Sequence, residues 1–75
     1  MTPYKNISRN SAVVAYEIGS DYIVVQFDNG SVYQYSHRRP GYQAVREMSM
    51  LAQNGQGLGT FINKNVRKNY DRRIR

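Results

Sequence analysis

Two turn signals, Gly19-Ser20 and Asp28-Asn29-Gly30, cut the first half of this chain into three short runs of β-branched and aromatic residues. The runs, Ser11–Ile18, Tyr22–Phe27 and Ser31–Ser36, each have the length of a strand and fall short of a stable helix. Connections this brief allow only antiparallel hairpins, because a parallel crossover needs a dozen residues or more. At 75 residues the chain makes one domain, and such a domain buries only about 60% of its unfolded surface. A deep catalytic cavity is not expected.

Directly opposed residues share a face, so turn length can be tested against side-chain character. A two-residue loop at Gly19-Ser20 sets Tyr16 opposite Ile23, Val14 opposite Val25 and Ala12 opposite Phe27. At the second turn, a two-residue loop would set Tyr33 opposite Gln26. A three-residue loop with Gly30 in the left-handed conformation instead sets Tyr33 opposite Val25 and Tyr35 opposite Ile23. That register gathers Ala12, Val14, Tyr16, Ile23, Val25, Phe27, Tyr33 and Tyr35 on one apolar face, as a half-buried antiparallel sheet requires. The opposite face would carry Val13, Val24 and Val32 among Glu17, Tyr22, Gln26 and Gln34.

After the third run, Pro40 suits a first helical position, where its missing N–H is no loss. From Tyr42 to Ala52 the residues Tyr42, Ala44, Val45, Met48, Leu51 and Ala52 form one broad apolar side, which predicts an amphipathic helix. The Gly-rich stretch Asn54–Gly59 ends it, and Thr60 is the expected N-cap of a short second helix. There Phe61, Ile62 and Val66 face inward, with Lys64, Arg67 and Lys68 outward. The expected fold is α+β: a three-stranded antiparallel β-meander, one main α-helix and a short C-terminal helix. Residues 11–70 form the domain, 1–10 a loosely ordered lead-in and 71–75 a basic tail.

Charge is segregated along this framework. Residues 1–37 hold two basic and three acidic side chains, whereas residues 38–75 hold nine basic and two acidic. A near-neutral sheet thus precedes a strongly cationic helical half, and the expected partner is anionic. With no Cys and only His37, thiolate zinc sites, iron–sulfur clusters, thiol nucleophiles and His-rich metal sites are excluded. Neither a metal nor a cofactor is expected.

The segment Tyr22–Tyr35 resembles the KTSC domain, a small module named for its occurrence at the C-terminus of some lysyl-tRNA synthetases. It also occurs as a free-standing bacterial or phage protein. The resemblance rests on Phe27, Asn29-Gly30, Tyr33 and Tyr35, then Pro40, Gly59 and Phe61 through Arg67, and it spans about Ser11 to Tyr70. The Gly-rich insert at 55–59 departs from the family pattern. The likeness implies a βββα-type domain with an RNA-binding role.

Phosphate contact would fall to Arg38, Arg39, Lys64, Arg67, Lys68, Arg72 and Arg73, with Arg75 at the end of the same series. Tyr33 and Tyr35 are assigned to the core by the register, each hydroxyl reaching a partner near the rim. The stacking candidates are therefore Tyr22, Tyr42 and Tyr70. Gly55-x-Gly57-x-Gly59 follows a helix and lacks the Gly-Lys-Ser/Thr ending of a nucleotide loop, so it reads as a connector. No carboxylate pair or His–nucleophile pair argues for catalysis. The expected protein is a non-enzymatic binding module, monomeric or weakly dimeric, that binds nucleic acid, RNA before DNA. The alternative is an adaptor that docks on an acidic protein surface or self-associates. No apolar run approaches the roughly 20 residues of a membrane span, nor does the start carry a signal-peptide core. The expected setting is the cytoplasm, with no membrane partner.

Overall fold

The computed structural model describes all 75 residues. It is an α+β arrangement with an antiparallel sheet on one side and two helices on the other. The elements are β1 (Thr2–Pro3), β2 (Val13–Ile18), β3 (Tyr22–Phe27), β4 (Val32–Ser36), α1 (Tyr42–Asn54), α2 (Leu58–Phe61) and β5 (Arg72–Arg73). α2 runs directly into a wide π-helical turn over Ile62–Val66. The sheet has five strands in the order β1-β2-β3-β4-β5, rather than the three expected. Both extra strands come from segments read as loose. Pro3 pairs with Ala15 at one edge, and Arg72 and Arg73 pair with Gln34 and Tyr33 at the other. Backbone hydrogen bonding decides this: the outer edges of a meander leave donors and acceptors open, and the chain's own ends satisfy them.

The β3–β4 hairpin has the expected register, with Val25 opposite Tyr33 and Ile23 opposite Tyr35. Gly30 sits at φ 89° and donates to the Phe27 carbonyl at 3.0 Å, closing the three-residue loop. The β2–β3 hairpin differs from expectation. Ile18 lies opposite Ile23 and Tyr16 opposite Val25, a slip of two residues, which preserves the faces because side chains alternate with period two. Gly19 belongs to the end of the hairpin ladder, where its N–H donates to the Tyr22 carbonyl at 2.9 Å. The Tyr22 ring lies over it, in the space any Cβ would occupy.

A bulge between Val13 and Ala15 then inverts the face of everything before it. Val13 turns into the core at 1% exposure, while Val14 turns out at 42%. This corrects the assignment of Ala12 and Val14 to the apolar face. Val13→Ala should therefore cost about 2 kcal/mol in a denaturant titration, and Val14→Ala no more than about 0.5 kcal/mol. Equal costs would contradict the bulge.

The core joins Val13, Ile23, Val25 and Tyr35 of the sheet to Val45, Met48 and Ala52 of α1, and to Leu58, Ile62 and Val66 beyond it. Tyr4 completes it from the N-terminal segment, its hydroxyl accepting the Leu58 N–H at 3.2 Å. Two helix starts differ from the sequence reading. Pro40 precedes α1 and bridges to Ser36, with Gly41 at the N-cap, because the turn out of β4 holds Pro40 outside the helix. α2 begins at Leu58 behind Gly57, so Thr60 lies within the helix. The buried Leu58 side chain draws the start of α2 toward the core. On the sheet's outer face, Val24 lies between Glu17 and Gln34, and Val32 beside Gln26; both are buried. With Val13 inside the core, no exposed valine strip remains there. No helix is long and apolar enough to cross a membrane.

Candidate nucleic-acid interface

The cationic half of the chain is organised by its last seven residues. After the π-helical turn, the chain returns along the free edge of β4. The Asp71 N–H donates to the Gln34 carbonyl at 2.8 Å, and the Ile74 N–H to the Val32 carbonyl at 2.7 Å. Strand alternation then sends Arg72 to the outer face beside Gln34 and Arg73 to the helix side beside Tyr33. Within the residues read as a basic tail, Arg72–Arg73 form an edge strand that carries an arginine on each face.

Two side-chain contacts draw the β4–α1 loop to this strand. Arg38 donates to the Asp71 carboxylate at 2.8 Å, and the Arg39 guanidinium to the Asn69 side-chain carbonyl at 2.7 Å. Ser36 prepares the loop by accepting the backbone N–H groups of Arg38 and Arg39 on its hydroxyl, each at 3.2 Å. Arg38 remains 84% exposed despite its ion pair, so its remaining donors face solvent. The Asp71 side chain is only 12% exposed. Its hydrogen bond from Arg38 holds its carboxyl below the usual carboxylate range, with a further bond from Gln34.

A carboxylate with a lowered folded-state pKa contributes stability above its ordinary pKa, and that contribution vanishes as pH falls through the lowered value. Asp71→Asn should therefore lower the melting temperature near neutral pH, with the gap to the parent closing in acid. Identical melting temperatures near neutral pH would show that Asp71 does not anchor the edge strand.

Aromatic side chains lie inside the cationic border. The Tyr33 ring sits 4.7 Å from that of Tyr70 and 5.9 Å, edge-on, from that of Phe27. The Arg73 guanidinium lies 5.5 Å above the Tyr33 ring, within cation–π range. Arg67 shares a cleft with Phe27, Tyr33 and Tyr35. Lys64, on the turn whose Ile62 and Val66 are buried, and Arg67 and Lys68, just after it, are all exposed.

The structure thus draws Arg38 and Arg39 to the 69–71 turn that holds Tyr70 and sets Arg67 and Arg73 beside Tyr33, while Arg72 lies on the opposite face of the sheet. The other two stacking candidates lie elsewhere. Tyr22 is on the outer face, its hydroxyl 3.5 Å from Glu17, and Tyr42 is an exposed partner of the His37 ring at 5.0 Å. Tyr35 is buried as expected, but its hydroxyl has no partner within the protein; Tyr33 is half-buried. Sequence reasoning missed Asp71 as the anchor. The available signal was its position as the lone carboxylate among the basic residues from Lys64 to Arg75.

No group of three or more His, Asp or Glu side chains is placed to hold a metal ion. No family model matches the chain, and no match is found among curated proteins or solved structures.

Proposed function

We propose that this protein is a small non-enzymatic module that binds nucleic acid through phosphate contacts of low sequence specificity. The observation that carries the reading is the anchoring of Arg38, Arg39, Arg72 and Arg73 around one edge by the Asp71 and Asn69 contacts. Arg38 and Arg39 are tied to the 69–71 turn that leads into the strand of Arg72 and Arg73, and one carboxylate is spent in holding them there. Arginines held in this way lose less side-chain entropy on meeting a phosphate.

The eight basic residues Arg38, Arg39, Lys64, Arg67, Lys68, Arg72, Arg73 and Arg75 are accompanied by Asp71 alone. The rest of the chain has three basic and four acidic side chains. The preference for RNA over DNA rests on the resemblance to the KTSC domain in Phe27, Asn29-Gly30, Tyr33, Tyr35 and Phe61–Arg67. Cytoplasmic action follows from the same reading.

The test is a titration of labelled single-stranded RNA, duplex RNA and DNA at two salt concentrations. With about five phosphate contacts on a single strand, affinity should fall about a hundredfold between ~50 and ~200 mM salt. Absence of binding at the lower concentration would overturn the reading.

A further inference from the structure

We propose that the cleft between the π-helical turn and the β2–β3–β4 end of the sheet is a pocket for one unpaired base. Its phosphate would lie against Arg67. This rests on the nucleic-acid reading above and adds a site that phosphate binding alone does not require.

The cleft has a volume of about 220 Å³, with Phe27, Tyr33 and Ile62 as apolar walls and Asn63 and Arg67 at its helical side. Tyr35 also lines it, although that residue is only 1% exposed. Every fully buried side-chain nitrogen or oxygen in the protein has a hydrogen-bond partner. The Tyr35 hydroxyl has none within the protein, so it keeps a trace of exposure, and the cleft is the open space that Tyr35 lines. Burial pushes this hydroxyl's pKa well above its usual value, so it stays protonated and able to donate. A lone polar atom at the end of an otherwise packed ring has to be satisfied by whatever enters.

The chemistry of that occupant follows from the walls. Edge-on aromatic rings and an isoleucine accept a flat, weakly polar ring system. The Tyr35 hydroxyl and the Asn63 amide supply a donor and a donor–acceptor pair for a polar ring edge. The Asn29 side-chain oxygen is already used by the Ser31 N–H at 2.9 Å, which leaves its amide hydrogens as further donors. Arg67 supplies a cation for an anionic group on the helical side, and Asp28, in the β3–β4 turn, an acceptor for ring N–H groups. A planar ring with a hydrogen-bonding edge and an attached phosphate describes a nucleotide. A base held in a duplex could not enter, whereas one in a single strand can turn out and stack.

A second cleft of about 250 Å³ adjoins the first, sharing Ala12, Phe27 and Asn63 and continuing past Ser11 and Thr60. The two clefts meet at Ala12, Phe27 and Asn63, which is the direction in which a strand would continue.

The experiment compares binding of a short oligoadenylate with a strand of equal length and charge whose sugars carry no bases. Both are titrated at two salt concentrations against the full chain and Tyr35→Phe, which keeps the ring in the core. The parent should bind oligoadenylate about tenfold more tightly than the abasic strand, as stacking of one base implies. Tyr35→Phe should weaken oligoadenylate about fivefold, the effect of one hydrogen bond. It should leave the salt slope and the abasic affinity unchanged. If the parent binds both strands equally with a steep salt slope, phosphate binding stands and the base pocket falls. Unchanged oligoadenylate affinity in Tyr35→Phe also removes the pocket, as does equal weakening on both strands, which marks a structural defect. Failure of the parent to bind either strand at low salt overturns the pocket and the broader reading together.

Discussion

Converting Lys64, Arg67 and Lys68 together to Glu should abolish RNA binding while leaving the fold intact. Lys64 lies on the π-helical turn and Arg67 and Lys68 follow directly after it, all three exposed where Ile62 and Val66 are buried. Surface substitutions of this kind change stability by no more than about 0.5 kcal/mol. The three reversals take the formal net charge from +6 to zero, since each removes one positive and adds one negative charge. A charge-assisted contact contributes about 1.5 kcal/mol at the lower end, so losing three costs a thousandfold or more in affinity, on the order of 10³. The salt slope should flatten as well, because fewer counterions are displaced. Arg46→Glu is the control: it lies on the exposed side of α1 among Gln43, Glu47 and Met50, away from the aromatic cluster. That variant should bind nearly as the parent does. If the triple variant binds at parental affinity in moderate salt, the cationic turn is not the contact surface.

What the sequence made legible follows from the range over which each determinant acts. The β3–β4 hairpin was readable because its turn chemistry and its apolar alternation agree, and both are local. The exposed and buried sides of α1 were readable through Val45, Met48 and Ala52 for the same reason. Tyr42 broke that pattern, standing 55% exposed beside His37 although its spacing placed it on the apolar side. The β2 bulge was not readable, since Ala12, Val13, Val14 and Ala15 are apolar without interruption and either alternation fits. Nor were the edge strands. Two-residue strands carry no period, and what holds Thr2–Pro3 and Arg72–Arg73 is the backbone edge that the meander leaves unpaired. The site follows the same division. Segregation of charge was visible in the sequence, but the closure of Arg38 onto Asp71 depends on where the chain returns after the π-helical turn.

Leu58→Ala should come close to unfolding the protein. Leu58 has no exposed surface and belongs to the central cluster, packed among residues of both helices and the sheet. Its position inside a Gly-rich stretch gave no periodic signal, which is why the segment read as a connector. Truncating a buried leucine costs about 2–5 kcal/mol, according to how far the surroundings close over the cavity. A chain of this length has only about 4–11 kcal/mol to lose, at the usual stability per residue. The melting temperature should fall by roughly 10–30 °C. Tyr4→Phe tests the same junction by a different mechanism, since it keeps the ring but leaves the Leu58 N–H without its acceptor. Its expected cost is about 1–3 kcal/mol, the penalty for a buried unsatisfied donor. If Leu58→Ala melts within about 3 °C of the parent, Leu58 is not packed in the core. α2 would then lack its hold on the sheet, and the π-helical turn with the Arg67-Lys68 pair that follows it would have no fixed place beside Tyr33.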